Sequence, residues 1–392
     1  MSKSDALRDV IIIGAGAAGL TAGIYASRSK RSTLIMDKKR AGGQAATTES
    51  MENYPGFPGG IGGRQLLDRF KQQAEEMGSE FAKDEVLAIE EREETYALTC
   101  KSETVYEARS LILAPGCQPR KLGIPGETEF TGRGVSYCAT CDAELYEETT
   151  VVVIGSGDTA VEEATYLSRF ADTVVMIVVH DEGVLDCTAS IAEEAFENEK
   201  LYWKWNTAIE EIDGDDLVER VKVRNLRTGE EEWLECDGVF MFVGTIPQTS
   251  FLSGFVDLQN GFIKTDATMQ TNRRLVYAAG DARAKNLRQV VTAASDGATA
   301  AFFADKALTE IDEYTRAIER AGNEYLLYFY FPAVQRSLDL FPEVEKKAKD
   351  YNLNVIKLDT SRYKTIAGKY NIDTVPTLLR VENSTIKETI PI

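Results

Sequence analysis

DVIIIGAGAAGLTAGIYASR (residues 9–28) reads as a buried apolar strand, a glycine-rich turn and a helix-like run of small residues. In the turn, Gly14, Gly16 and Gly19 let the backbone bend tightly, approach a pyrophosphate and pack a helix on a strand; the helix N-terminus favours phosphate charge. A second strand, STLIMD (residues 32–37), ends in Asp37, eighteen residues past Gly19. That is where a carboxylate meets a ribose hydroxyl. A lone glycine fingerprint is weak, because such turns also serve plain packing. Strand, helix and terminal acid at the right distances make it a dinucleotide-binding unit of an α/β fold.

The pattern recurs. TTVVVIGSGDTAVEEATYLSRFADTVVMIVV (residues 149–179) gives a strand, a turn with Gly155, Gly157 and Ala160, a helix and a further strand. Alanine in the third position is an accepted variant. A third signature, LVYAAGDARAKNLRQVVTAASDGATAA (residues 275–301), places Gly280 and Asp281 between an apolar strand and a small-residue helix. An aspartate there can bind a sugar-chain hydroxyl, with the helix N-terminus facing phosphate or ring oxygen.

Just before the second unit stands GVSYCATCDAELY (residues 134–146), with Cys138 and Cys141 two residues apart and Asp142 following. A structural zinc needs four ligands, commonly as two close pairs. Cys100, Cys117, Cys187 and Cys236 are scattered singly, and His180 is the sole histidine, so no metal site is expected. A redox dithiol is the stronger reading, since a thiolate is the nucleophile of disulfide exchange and a close pair carries two electrons. Two dinucleotide units flanking such a pair imply an electron relay. Six cysteines in 392 residues point to a reducing, cytoplasmic setting rather than a disulfide-stapled fold. A net charge of -19 argues against nucleic acid as partner. No apolar run is long enough to span a bilayer, and the first ten residues lack a signal-peptide pattern. Cys117 and Cys187 read as ordinary small packed residues, and Trp203 and Trp205 as sheet packing.

GGQAATTESMENYPGFP (42–58), ILAPGCQPRKLGIPGE (112–127), GVSYCATCD (134–142), GSGDTAVEEATYL (155–167) and the 275–301 signature, in that order, resemble low-molecular-weight thioredoxin reductases over about residues 8–310. The resemblance implies an FAD domain in two segments, 1–118 and 246–310. Between them, 119–245 would form a pyridine-nucleotide-like domain carrying the redox pair. It implies that Gly14, Gly16, Gly19 and Asp37 hold the adenosine half of FAD, and that Gly43, Gln44 and Asn53 lie along the flavin. Gly280, Asp281, Arg288, Gln289 and Val290 would close over the ribityl chain and ring. Cys138 and Cys141 would shuttle electrons from flavin to a thioredoxin-like protein, with Asp142 giving and taking the proton. An aspartate lifted in pKa by a shielded site can serve where no histidine is near. Hinges are expected at 116–123 and 244–248, and relatives are generally homodimers.

Two departures stand out. NADPH-using members of the resembled family follow the second strand with a histidine, two arginines and a later arginine, which clamp the 2′-phosphate. Here the run is VVHDEGVLDCTASIA (178–192): His180 is followed by Asp181 and Glu182, and the later arginine is missing. Carboxylates repel a phosphate, so NADPH is not the expected donor. NADH stays open, and the altered clamp also resembles a bacterial branch that takes electrons from ferredoxin; Gly155, Gly157 and Ala160 would then mark a lost site. Arg273, Arg274, Arg283, Lys285 and Arg288 are the expected basic patch for an acidic ferredoxin.

The second departure is the tail. A linker is expected over 311–323, then a domain over 324–392 resembling a thioredoxin fold, with Val375-Pro376-Thr377 as its cis-proline loop. Residues 311–392 contain no cysteine, so the tail cannot exchange disulfides. It stops where a thioredoxin would add a closing helix, and would be trimmed or completed by another surface. The tail reads as a docking or oligomer-forming module, or as a lid over the altered site. The expected function is an FAD-dependent reductase of protein disulfides; the alternative is a non-enzymatic flavoprotein whose tail reports the state of the cysteine pair.

Overall fold

The computed structural model describes residues 6–48 and 51–392. Residues 1–5, part of the stretch read for a signal peptide, and residues 49–50 of the 42–58 motif lie outside them. Arg8–Ile13 is the inner strand of a first sheet, parallel to Thr33–Asp37 on one side and Val105–Leu113 on the other. Glu80–Lys83 extends one edge, and Tyr96–Cys100 with Val86–Glu91 the other. Late in the chain, Val276–Ala278 returns to pair with Val105–Leu113. The apolar runs are explained by burial on both faces: Val10, Ile11 and Ile12 are fully covered, as parallel strands between helices require.

Helices α1 (Ala17–Arg28) and α2 (Gly63–Met77) follow the first and second strands. Gly14 turns the chain into α1 at φ 108°. A Cβ there would stand 2.0 Å from the Ala114 carbonyl oxygen, so only glycine fits. The second sheet is built around Thr150–Ile154, parallel to Thr173–Ile177 and Gly238–Met241, with Leu201–Lys204 and Val135–Ser136 at its edges. It carries the short α3 (Ala139–Asp142) with the cysteines, α4 (Asp158–Leu167) after the second glycine turn, and α5 (Ala189–Phe196). Trp203 and Trp205 stack at 5.0 Å beside Phe196. The two connections between the sheets, Cys117–Pro119 and Thr245–Pro247, pair with each other as antiparallel strands.

The long α6 runs from Val290 to Ala321. The linker expected over 311–323 is therefore not one: most of it is the last three turns of this helix. Its polar look comes from one solvated face, while Ile311, Tyr314, Ile318 and Ala321 face an apolar cluster of the C-terminal sheet. Asp312 is fixed by Arg31 at 2.8 Å and Arg109 at 2.5 Å. Burial disfavours its charge, but the hydrogen bonds of the two arginines outweigh that and hold its carboxyl below the usual value.

The C-terminal sheet has the order Asn354–Asp359, Glu324–Tyr330, Thr377–Glu382, Thr385–Ile390, the first pair parallel and the others antiparallel. α7 (Gln335–Asp339) and α8 (Phe341–Tyr351) follow Glu324–Tyr330 in the chain, and α8 packs on one face. α9 (Lys364–Lys369) and the end of α6 cover the other. The Val375–Pro376 peptide is cis, as expected. One face of this unit is thus covered by α6, a helix that also packs in the core of the first sheet. Tyr314 hydroxyl meets Tyr370 hydroxyl at 2.5 Å in the shared core, and Lys369 pairs with Glu94 at 2.8 Å.

Tyr314→Ala is expected to cost about 3 kcal/mol or more, as large-to-small core changes do. The tail should become protease-sensitive while the first sheet stays folded. Tyr314→Phe should cost about 1 kcal/mol, one hydrogen bond. Unchanged denaturation and proteolysis of the alanine variant would show that the tail is not anchored on α6.

Candidate active site

The first site is assembled where the glycine turn, the 42–58 loop and the start of α6 meet. Asp37 accepts the Ala15 N–H at 2.7 Å and the Lys39 N–H at 2.8 Å, so the acid at the strand end also braces the turn. A Cβ on Gly43 would come within 3.0 Å of the Gly16 Cα, which leaves two bare backbones facing each other. Gly280, at φ 77°, turns the return strand into the segment that bears Asp281. Asp296 accepts the Gly280 N–H at 3.0 Å and pairs with Arg283 at 2.9 Å and Lys285 at 3.0 Å. Gln289 caps α6, and the Arg288 guanidinium lies 4.3 Å from the Phe262 ring centroid.

A flavin dinucleotide fits this donor set. Among the described residues, Asp281 Oδ1 is buried without a hydrogen-bond partner, and Lys285 stands off at 3.7 Å. Burial pushes the Asp281 carboxyl up. Such an orphaned acceptor is costly unless a ligand hydroxyl meets it. Gly14, Gly16, Asp37, Gly43, Gln44, Asn53, Gly280, Asp281, Arg288, Gln289 and Val290 line one continuous cavity of about 2010 Å³, about twice the upper range of small-molecule pockets. Gly19 stays outside it: a Cβ there would stand 1.8 Å from the Gly14 carbonyl oxygen, so its part is helix-to-turn packing.

The cysteines are bonded to each other as Cys138–Cys141, and they face this cleft. Gln289 Nε2 donates to Thr140 Oγ1 at 2.9 Å and lies 3.9 Å from Cys138 Sγ. Asn53 Nδ2 donates to the Thr140 carbonyl at 3.3 Å and to Gln289 Oε1 at 3.2 Å. Gln289, read as a flavin contact, therefore meets Cys138, and Asn53, read likewise, meets Thr140 between the two cysteines. Asp142 accepts from Ser136 Oγ at 2.5 Å, and the same hydroxyl receives the Cys138 N–H at 3.1 Å.

Sequence reasoning missed Ser136, Thr140 and Glu163. Glu163, on α4, accepts the Thr140 N–H at 3.2 Å, and its burial raises its carboxyl pKa. Its only sequence signal is a position one turn into the helix after the second glycine turn. Burial pushes the thiols of Cys100, Cys117 and Cys236 up to about 12 and raises that of Cys187, which suppresses thiolate.

The second turn, with Gly155, Gly157 and Ala160, lines the same cavity. Asp181 meets a cation, Arg227, at 3.7 Å. Among the described residues, each cation of the expected basic patch has a local partner. Arg273 pairs with Glu91 and Arg274 with Glu94, Arg283 and Lys285 serve Asp296, and Arg288 stacks on Phe262. Nor does the tail act as a lid in this arrangement: among the described residues, none after 293 lines the cavity. No group of three or more potential metal ligands occurs among the described residues, and no helix there is long and apolar enough to cross a membrane.

Residues 8–297 match the family model described as pyridine nucleotide-disulphide oxidoreductase. A thioredoxin reductase of Treponema pallidum is 45% identical over 293 residues, 75% of this chain and 94% of that protein. The crystal structure of thioredoxin reductase from Streptococcus pyogenes superposes with a TM-score of 0.74 at 36% identity, covering 80% of this chain and 100% of that one. Thioredoxin reductase of Lactococcus lactis in its FR conformation reaches only 0.55, at 39% identity and 77% and 99% coverage.

The purified protein is expected to be yellow, with one FAD per chain. Asp281→Ala should weaken FAD retention about tenfold or more, the worth of a hydrogen bond to a charged group, as read by ultrafiltration and absorbance. Colourless protein that takes up no added FAD would contradict the assignment.

Proposed function

The chain belongs to the thioredoxin reductase family of pyridine nucleotide-disulphide oxidoreductases, FAD-dependent flavoenzymes, and from that premise we propose how its own residues work. The observation that carries the reading is the docking of the Cys138–Cys141 segment on Asn53 and Gln289, residues we assign to the flavin edge. FAD, when bound, supplies the two electrons that open this disulfide. Asp142, held through Ser136 beside the Cys138 backbone, is the proton donor and acceptor for the dithiol. A thiolate of the opened pair attacks the disulfide of a thioredoxin-like partner, and the second thiolate resolves the mixed disulfide.

In the docked arrangement the pair is turned toward the cleft, so exchange with a protein requires the two parts to rotate. The paired strands Cys117–Pro119 and Thr245–Pro247 are the hinge in this reading, with the redox domain at 119–245 and the flavin domain at 1–118 and 246–310. The weaker superposition on the FR conformer of the Lactococcus lactis enzyme supports such a movement. We read 324–392 as a thioredoxin-like domain without redox cysteines, a docking module built on α6, and the molecule as a homodimer.

The electron donor in this proposal is not NADPH. Asp181 and Glu182 replace the cations a 2′-phosphate needs. Losing two charge-assisted phosphate contacts, each about 1.5–3 kcal/mol, removes a hundredfold or more in affinity. Reduced ferredoxin, the donor of the branch with an altered clamp, would need a basic landing surface. The cations near the flavin signature are already paired internally, which favours NADH.

Anaerobic stopped-flow of the flavin band should show slow or no bleaching with micromolar NADPH and faster bleaching with NADH or reduced ferredoxin. Rapid bleaching by NADPH would overturn the donor reading. Cys138→Ser and Cys141→Ser should each abolish reduction of a protein disulfide while keeping FAD; turnover in either variant would show another electron route.

A further inference from the structure

The two glycine turns carry matching carboxylates that the sequence does not show as a pair. At the first turn, Asp37 Oδ2 accepts a hydrogen bond at 2.7 Å from Ala15, the middle residue between Gly14 and Gly16. At the second, Asp186 Oδ2 accepts one at 2.9 Å from the hydroxyl of Ser156, the middle residue between Gly155 and Gly157. Asp37 ends its strand. Asp186 arrives by a detour: the strand stops at Ile177, and the loop returns so that the Asp186 N–H donates to the Ser156 carbonyl at 2.9 Å. His180 Nε2 holds the same carboxylate at 2.7 Å.

The carboxylate faces ligand space. Its side chain is 65% exposed, and it lines the large cavity together with Ser156, Val179 and His180. Among the described residues, a Cβ on Gly157 would meet nothing within 4 Å, so the turn has open room where a pyrophosphate would lie. Both contacts of Asp186 fall on Oδ2, leaving acceptor capacity on Oδ1. Asp158, which lines the same cavity, adds a second carboxylate. Asp158 accepts the Thr188 N–H at 2.6 Å, and Asp181, with Arg227 3.7 Å away, stands beside Glu182 on the same loop.

We propose that Asp186 is the specificity-determining residue of a working second dinucleotide site. It would accept hydrogen bonds from the free hydroxyls of an adenosine ribose and repel a 2′-phosphate, so that the site takes NADH. This rests on the reading that NADPH is not the donor and goes beyond it. A turn left over from a lost site has no reason to keep both an open floor and a ribose-type carboxylate.

The test is calorimetric binding of ADP-ribose and of 2′-phospho-ADP-ribose to the FAD-loaded protein, a readout independent of flavin reduction. The unphosphorylated probe should bind at least about tenfold tighter, the worth of one hydrogen bond to a charged group. Asp186→Ser and Asp186→Asn should each weaken ADP-ribose and narrow that ratio, with retained flavin colour showing that the fold is intact. If neither probe binds, or if both variants leave the ratio unchanged, the inference fails. Absence of any binding would leave the exclusion of NADPH standing. Tighter binding of the phosphorylated probe would sink both.

Discussion

The close approach of α1 and α6 is the constraint on which the rest of the molecule depends. Gly297 has no room for a side chain, since a Cβ there would stand 2.1 Å from the Ala18 carbonyl oxygen, and Gly280 would bring one within 2.8 Å of the Ala18 Cβ. Small residues on both helices, among them Ala22, Ala300, Ala301 and Ala304, are buried in the same cluster. Because the two helices touch almost backbone to backbone, the start of α6 and the Asp281 turn are fixed over the first glycine turn. The cleft is therefore a by-product of helix packing, and its precision comes from glycine and alanine.

One helix then serves three purposes along its length. Its N-terminal cap, Gln289, reaches the cysteine-bearing segment; its middle closes the first core; its last turns form a wall of the C-terminal unit. Ion pairs of Arg31 with Asp305 and Asp312 hold the second and third of these in register. The C-terminal unit, which has no cysteine, is thus joined through α6 to the core of the first sheet. That placement suits a module that positions a partner or a second subunit and leaves the electron path alone.

What was legible in the sequence was whatever depends on spacing along one strand–turn–helix unit. Gly14, Gly16, Gly19 and Asp37 could be placed because the tight turn, the strand and the terminal acid are local requirements. The end of α6 was missed because IDEYTRAIERAGNE (residues 311–324) is mostly polar. The apolar spacing of Ile311, Tyr314 and Ile318 is a helix signal, but its buried face looks onto a sheet formed by residues after 323. Asp186 was not singled out in the sequence, because its meeting with Ser156 depends on a loop returning across the turn. Ser136, Thr140 and Glu163 act through hydrogen bonds between elements, which no spacing records. The cations around Arg283 looked like a patch in sequence; their carboxylate partners lie on other elements.

The proposed relay requires the Cys138–Cys141 disulfide to exchange electrons with bound FAD. Anaerobic titration with dithionite, following the flavin band and free thiols together, tests this most directly. Flavin and disulfide each take two electrons, so complete reduction should consume two two-electron equivalents per chain, with thiols appearing as the first is taken up. Bleaching complete after a single equivalent, with no thiol formed, would show that the pair and the flavin do not communicate.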